Sequence, residues 1–190
     1  MHFLLSLVTA GLVSADVFSI NAFIPGSSID GSLLHASHHG LYSGLTEPAT
    51  YCPLNPPSDC PQVAGTLVTQ NMGAMAVAVA GGQQIYIQAD GQVKYSIPHS
   101  AYIPPGSIRS GWYHKTVTSP ARVPMQYDLL DFDDGRGHSG LALCPDTNFS
   151  EGGIHALYAK TEGFNTDLCI DVAGLILTKS ESTVGCWQYE

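Results

Sequence analysis

Three histidines lie close together in the sequence, at His35, His38 and His39. Imidazole nitrogens are good ligands for transition metals, so this cluster is a candidate metal site. On a strand, His35 and His39 would share one face while His38 points to the other. No helix is indicated here, and no carboxylate lies close by in the sequence. We therefore interpret these residues as structural or surface histidines, and we predict neither a metal site nor a cofactor.

An acidic segment, Asp131-Phe132-Asp133-Asp134-Gly135, resembles the start of a calcium-binding loop. Such a loop needs acids at alternate positions, glycine at the sixth position and glutamate at the twelfth. The twelfth residue here is Ala142, so the spacing fails. We interpret these acids as solvated turn residues.

Hydrolysis requires either two carboxylates at a controlled separation or a nucleophile with a positioned base. The sequence contains no Gly-x-Ser-x-Gly motif. A ribonuclease-like set of side chains can be chosen from the sequence, namely His99, Arg109, His114, His138 and Glu151. Many unrelated sets can be chosen equally well. We therefore predict no catalytic residues and a non-enzymatic protein, with a small secreted hydrolase as an alternative function.

Five aromatic residues are candidates for a platform on which sugar rings stack. They are Tyr86, Tyr102, Trp112, Tyr113 and Trp187. The two tryptophans are more typical of a core, whereas Tyr86 falls on the polar-looking face of a predicted hairpin. We predict Tyr86 as the sugar contact of a second alternative function, a carbohydrate-binding module for wall polysaccharide.

The first residues have the pattern of a signal peptide. An apolar run from Phe3 to Val13 ends in Val13-Ser14-Ala15, a small-x-small site of the kind that signal peptidase cleaves. A membrane span needs roughly 20 apolar residues, and polar Asp16 interrupts the run too early for that. We predict a signal peptide over residues 1–15 and one secreted domain over residues 16–190, with no membrane partner.

The composition favours strands joined by turns over a helical bundle. Charged residues make up only 12% of the chain, which contains 20 glycines and 12 prolines. Seven Lys and Arg stand against sixteen Asp and Glu, for a formal net charge of -9. Such a surface repels phosphate backbones and anionic membranes, so we expect no nucleic-acid partner. A neutral or cationic polysaccharide of the cell wall is a compatible partner.

Export places the five cysteines in an oxidising compartment, where disulfides form. Cys52 and Cys60 bracket a proline-rich loop that cannot enter a central strand, which favours a local bridge between them. The second predicted pair is Cys144 with Cys169. Cys186 then remains as a free thiol or forms an intermolecular bond, so we expect a monomer or a dimer through Cys186.

Alternating apolar and polar residues predict several strands. The clearest is a hairpin over residues 83–97, with Asp90-Gly91 as the turn signal, because both central residues of a type I′ turn need positive φ. Further strands are expected over residues 16–24, 154–160, 169–178 and 184–189, and a loop-rich stretch over 98–122. These elements predict a single all-β antiparallel domain, barrel-like or β-trefoil-like, with a two-sheet β-sandwich as the alternative.

One N-glycosylation sequon, Asn148-Phe149-Ser150, lies in a polar stretch after Cys144-Pro145. We predict that Asn148 is exposed and glycosylated.

Several motifs in a fixed order resemble a known family. They are Tyr51-Cys52-Pro53 with a second cysteine shortly after, Gly81-Gly82-Gln83-Gln84-Ile85-Tyr86-Ile87, His99-Ser100-Ala101-Tyr102-Ile103-Pro104-Pro105-Gly106-Ser107, and Trp187-Gln188-Tyr189. Over nearly the whole mature chain, this order is similar to that of the fungal secreted IgE-binding proteins, which are themselves similar to the phialide cell-wall protein of moulds.

The resemblance implies an extracellular, cell-wall-associated and non-enzymatic protein of a fungus that can act as an allergen. It implies the same two disulfides, Cys52–Cys60 and Cys144–Cys169, and it supplies no catalytic residues to transfer. Cys186 departs from the family pattern, in which a small residue precedes Trp-Gln-Tyr.

Overall fold

The computed structural model describes residues 16–61, 65–118, 124–149, 152–165 and 167–190. The predicted signal peptide lies outside these residues, as do Ser150 and Glu151. The described chain forms fifteen β-strands and one short 3-10 helix, Pro57–Asp59. The strands are β1 (Val17–Phe23), β2 (His35–Ser37), β3 (Gly40–Ser43), β4 (Thr50–Tyr51), β5 (Val68–Thr69), β6 (Ala74–Met75), β7 (Gln83–Ile87), β8 (Val93–Tyr95), β9 (Trp112–Thr118), β10 (Gln126–Phe132), β11 (Leu141–Pro145), β12 (His155–Ala159), β13 (Ile170–Val172), β14 (Gly174–Lys179) and β15 (Gln188–Tyr189). Among these residues, none belongs to a helix with the length and apolar character that crossing a membrane requires.

Thirteen of the strands form one sheet, in the order β13-β11-β12-β3-β8-β7-β6-β5-β1-β14-β10-β9, with β2 beside β3. β15 and β4 form a separate two-stranded sheet. The ladders between these strands are antiparallel. The predicted all-β antiparallel fold is confirmed, and its strand order has two ends, β13 and β9.

The first strand forms as its alternating sequence predicts. Ile20, Ala22 and Ile24 are buried, whereas Ser19 and Asn21 are partly exposed. β1 pairs with β14 over six positions, from Phe18 opposite Lys179 to Phe23 opposite Gly174. The N-terminal end of the described chain is therefore held by a strand that lies more than 150 residues further along the sequence.

The predicted hairpin over residues 83–97 is confirmed as β7 and β8, but its turn differs from the predicted type. Gln88 N donates to Gln92 O, and Gly91 N donates to Gln88 O, both over 2.9 Å. These bonds define a three-residue loop in which only Gly91 has positive φ, at 93°. Asp90-Gly91 marks the reversal correctly, whereas the type I′ geometry is wrong.

The loop-rich interpretation of residues 98–122 is wrong for Trp112–Thr118, which forms β9. All seven residues of this strand pair with β10. None of them is fully buried, because β9 is the end strand of the sheet. Without a buried face, the sequence carries no apolar alternation from which the strand could be predicted.

Residues 169–178, predicted as one strand, form two. The break falls at Ala173, directly before Gly174, which begins β14 with a φ of 152°. A Cβ at this position would lie 2.8 Å from Leu129 Cβ, so the close approach of β14 to β10 requires glycine here.

One main core fills the space between the strands. Its largest fully buried side chains include those of Ile20, Leu41, Ile85, Tyr95 and Phe132. A smaller separate cluster consists of buried Tyr42, Ile154 and Ala156 with partly buried Leu45, Phe149 and Tyr158. This second cluster underlies the candidate site.

Both predicted disulfides are present. Cys52 is bonded to Cys60 with a Cα–Cα distance of 6.1 Å, and Cys144 to Cys169 with 4.1 Å. Cys186 is free and buried.

Candidate functional site

A cleft of about 320 Å³ lies above the smaller cluster. We call it the Lys94 cleft, and the side chains that matter for its chemistry are those of His38, Tyr42, Lys94, Asp146, Phe149 and Tyr158. It brings three aromatic rings together with a cation, an anion and an imidazole. Of these six residues only His38 is a candidate ligand in the sequence, for a metal site, and its sequence context favours a structural or surface histidine.

Adjacent strands supply the floor of the cleft. Tyr42 lies on β3, Lys94 on β8 and Tyr158 on β12, and β3 lies between the other two in the sheet. Side chains on one face of neighbouring strands lie within reach of each other. The segment after β11, which carries Asp146 and Phe149, supplies the remaining wall.

A two-residue turn between β2 and β3 places His38 at the edge of the cleft. Ser37 pairs with Gly40 across the turn, and His38 and His39 have φ values of 46° and 57°. A turn of this length with two positive φ values is normally occupied by Asn-Gly or Asp-Gly. Histidine is among the few other residues that tolerate this conformation. The predicted structural role of these histidines therefore has a specific form, a hairpin turn.

Aromatic contacts fix the wall of the cleft. The Phe149 ring lies in edge contact with the His38 ring, at a centroid distance of 5.3 Å, and with the Tyr42 ring, at 5.0 Å. Ser37 Oγ lies 2.9 Å from His38 Nδ1, which orients the imidazole. Phe149 remains partly exposed, so part of its surface is available to a bound molecule.

Lys94 and Tyr42 provide polar groups at the base of the cleft. Burial lowers the pKa of Lys94, an effect that the negative charges of Asp146 and Asp90 oppose. Lys94 Nζ donates to His38 O over 3.4 Å. Burial also raises the pKa of Tyr42 to about 12, with a smaller contribution from Asp146. The cleft therefore combines the amino group of Lys94, a buried neutral phenol that interacts with Gln92 and Asp146, and the Asp146 carboxylate around a partly exposed ring.

The predicted sugar contact, Tyr86, lies elsewhere and is only 8% exposed. Its predicted exposure is wrong because the segment after β8 folds back over β7. Ile87 and Ile108 form a two-way backbone bridge, and Tyr102 lies close enough for its charge to influence the Tyr86 hydroxyl. Tyr102 is the more exposed ring of the two, at 67%.

The other predicted aromatic candidates also lie outside the Lys94 cleft. Trp112 packs edge-on against Phe132 of the core, with a centroid distance of 5.7 Å. Tyr113 is exposed on β9, and its hydroxyl donates to Asp131 over 3.3 Å. Trp187 lines a different cavity.

The histidines of the ribonuclease-like set have local partners of their own. His114 lies 3.2 Å from Asp128 on the neighbouring strand, and His138 lies 2.9 Å from Asp134 in its own turn. His99 and Arg109 are exposed, and Glu151 lies outside the described residues. In the part of the chain that the structure describes, no three His, Cys, Asp or Glu side chains are grouped in a way that could hold a metal ion.

The acidic segment divides into two environments. Asp133 is exposed and accepts a hydrogen bond from Gly135 N, as a solvated turn acid does. The solvated interpretation is wrong for Asp134, whose side chain is only 2% exposed because it accepts hydrogen bonds from two backbone N–H groups of the turn and pairs with His138. Asp131 is instead buried on β10, where it forms an ion pair with Lys115. The solvated interpretation is wrong for Asp131, because the strand continues two residues past Leu130.

Asn148 is exposed, as predicted, and lines the rim of the Lys94 cleft. Its backbone N–H donates to Asp146 Oδ1 over 2.8 Å. Ser150, the third residue of the sequon, lies outside the described residues.

Comparison with known proteins finds a similarity in sequence. The chain is 28% identical over 173 residues to an uncharacterized secreted protein of the fungus Arthroderma benhamiae. The alignment covers 90% of this chain and 84% of that protein. No protein-family model matches the chain, and no solved structure matches it.

Proposed function

We propose that this chain is a secreted, cell-wall-associated and non-enzymatic fungal protein that binds wall polysaccharide through the Lys94 cleft. Export is supported by the predicted signal peptide over residues 1–15, by two disulfides typical of an oxidising compartment, and by the similarity to a secreted protein. Wall association and allergenicity rest on the family resemblance.

The observation that carries the carbohydrate proposal is the position of Phe149 among polar side chains. A sugar ring has apolar faces and a rim of hydroxyls, so it needs a flat apolar surface beside hydrogen-bond donors and acceptors. Phe149 supplies the first, and Lys94 Nζ, the Tyr42 hydroxyl and the Asp146 carboxylate supply the second. The cleft volume of about 320 Å³ suits one or two sugar units.

The make-up of the cleft supports binding without turnover. Glycoside hydrolysis normally uses two carboxyl groups on opposite sides of the bond that breaks. Asp146 is the one carboxylate among the described residues that line the Lys94 cleft. A small hydrolase therefore remains the weaker alternative.

The proposal is tested by retention of the purified protein on insoluble chitin, β-glucan and galactosamine polymer, with salt and soluble sugars as competitors. We expect retention that survives salt and is released by one soluble sugar. Phe149→Ala should abolish retention, whereas Tyr102→Ala, which removes a more exposed ring outside the cleft, should preserve it. Failure of all three polymers to retain the folded protein would overturn the proposal, and so would equal losses in the two variants.

A further inference from the structure

A second and larger cavity, of about 610 Å³, lies where the small β4–β15 sheet meets the Cys52–Cys60 disulfide loop. We call it the Trp187 cavity. It shares no lining residue with the Lys94 cleft, so an inference about it stands or falls independently of the proposed function.

Apolar side chains dominate the mouth of the Trp187 cavity. Leu33 is 44% exposed and Tyr51 is 50% exposed, and both line the cavity together with half-buried Trp187. Large apolar side chains that are exposed next to one another mark a binding surface more often than isolated ones do. The walls therefore favour a ligand with an apolar body.

The charge of the cavity comes from one residue. Glu47 is the one Asp or Glu among the described residues that line it, and no Lys or Arg lines it. The one basic side chain of the cavity lining is that of His35, which is 5% exposed. Burial lowers the pKa of His35, so its imidazole is uncharged at neutral pH. The chain as a whole carries a formal charge of -9. Both the local and the overall charge therefore favour a cation over an anion.

We propose that the Trp187 cavity binds a small hydrophobic amine, with its apolar body against Leu33, Tyr51 and Trp187 and its ammonium group beside Glu47. The volume lies in the range of small-molecule sites, which spans about 300–1,000 Å³. An ammonium group is attracted both by a carboxylate and by the face of a tryptophan or tyrosine ring. A neutral ligand of the same shape gains the apolar contacts alone, and an anionic one is repelled by Glu47.

Three naphthalene probes of similar shape and different charge test this proposal. They are the cation 1-naphthylmethylammonium (from 1-naphthylmethylamine), the neutral 1-naphthalenemethanol and the anion 1-naphthaleneacetate. Their affinities for the full chain are measured by titration calorimetry at neutral pH. We expect the amine to bind about three- to tenfold more tightly than the alcohol, since an exposed ion pair and a cation–π contact each add only modestly to affinity. The acetate should bind most weakly.

Two variants and a control locate the effect. Glu47→Gln should reduce the advantage of the amine over the alcohol to the part that the aromatic rings supply, and it should leave the affinity for the alcohol unchanged. Tyr51→Ala changes an exposed ring and leaves the core intact. It should weaken the binding of both the amine and the alcohol. Glu181→Gln removes an exposed carboxylate outside the cavity and should change neither. The proposal is overturned if the amine shows no saturable binding, or if the amine keeps its full advantage over the alcohol in Glu47→Gln, which would assign the preference to something other than Glu47.

Discussion

The side-chain amide of Gln83 binds both backbone polar groups of Tyr189. Gln83 Nε2 donates to Tyr189 O, and Tyr189 N donates to Gln83 Oε1, each over 2.9 Å. A further bond joins Gln83 Nε2 to Ser96 O over 3.1 Å. Gln83 is fully buried. Its amide therefore takes the place of a peptide group on a neighbouring strand and attaches β15 to the main sheet.

Replacement of Gln83 should be severely destabilising. Gln83→Leu leaves the N–H and C=O of Tyr189 and the carbonyl of Ser96 without these partners, and buried polar groups without partners cost about 1–3 kcal/mol each. We expect a loss of about 3 kcal/mol or more in the free energy of unfolding, measured by urea denaturation. Gln84→Leu, at the half-buried neighbouring position, is the matched control and should cost less than about 1 kcal/mol. Similar losses in both variants would contradict the role of the amide.

The turn at His38 predicts a contrast between two substitutions that both remove the imidazole. Asparagine tolerates positive φ, so His38→Asn should change the free energy of unfolding by less than about 0.5 kcal/mol. Valine is β-branched and rarely adopts this conformation, so His38→Val should cost about 1–2 kcal/mol. Thermal and urea unfolding of both variants check this, and equal stabilities would show that the φ of 46° does not persist in solution.

Stability should fall on mild acidification because two histidines are held neutral. Burial lowers the pKa of His35, against the opposing charge of Glu47. Burial lowers the pKa of His39, as do the positive charges of Lys94 and His38, whereas the negative charge of Glu190 opposes this shift. A base with a lowered pKa in the folded state contributes stability above its unfolded pKa of 6.5, which is lost as the pH falls below that value.

The measurement for this acid effect is the urea midpoint at about pH 7.5 and about pH 5, in wild type and in His35→Gln. We expect a lower midpoint for the wild type at the acidic pH and a smaller decrease for the variant. His99→Asn, at an exposed position with positive φ, serves as the control. A decrease of the same size in all three proteins would contradict the assignment to His35.

Stability should also fall at alkaline pH, from ionisation of buried acids. Burial raises the pKa of Cys186 from 9.0 to about 12 and that of Tyr42 from 10.0 to about 12. Burial also raises the pKa values of Tyr95 and Tyr189. A raised pKa in the folded state gives stability that is complete below the unfolded pKa and lost as the pH rises towards the folded one.

We therefore expect the free energy of unfolding to begin falling near pH 9 and to decrease steeply between about pH 10 and 12. Cys186→Ala removes the group that titrates first in the unfolded chain, so it should delay the onset towards pH 10. Rapid unfolding measurements over short incubations keep disulfide chemistry out of the result. An unchanged onset in Cys186→Ala would contradict the role of this thiol.

The elements that the sequence predicts well are those with local signals. β1 and the β7–β8 hairpin follow from apolar alternation, and the Cys52–Cys60 bridge follows from the proline-rich loop between two cysteines that are eight positions apart. β9 escapes prediction because neither of its faces is buried. The turn at His38 and His39 escapes because these residues are not the usual ones for a turn with positive φ.

The candidate site could not be predicted, because its residues come from separate parts of the sequence. Tyr42, Lys94 and Tyr158 meet only through the sheet order β12-β3-β8, and no spacing in the sequence encodes that order. Tyr86 shows that a distant segment can also bury a residue that the local sequence predicts to be exposed. Its local pattern indicated an exposed ring, whereas the cover over it comes from a segment that bridges back at Ile108.

Two motifs that carry the family resemblance are bound to each other. Gln83 belongs to the Gly-Gly-Gln-Gln segment and Tyr189 to the Trp-Gln-Tyr segment. The Tyr189 hydroxyl also accepts a hydrogen bond from Leu67 N over 2.9 Å. We infer that this pair of motifs preserves the fold, whereas the Lys94 cleft is built from residues outside both.

The attachment of β15 by Gln83, together with the pairing of β1 with β14, bears on how the chain is made. Synthesis proceeds from the N-terminus, so β1 leaves the ribosome long before β14 exists. β5 can pair with one edge of β1 early, but the other edge of β1 and the Tyr189 groups that bind the Gln83 amide have no counterpart until residues 174–189 have emerged. Sheets dominated by such distant pairings fold slowly, and their unpaired edges favour aggregation. We therefore expect the β14-facing edge of β1 and the amide of Gln83 to need protection from aggregation until residues 174–189 have emerged.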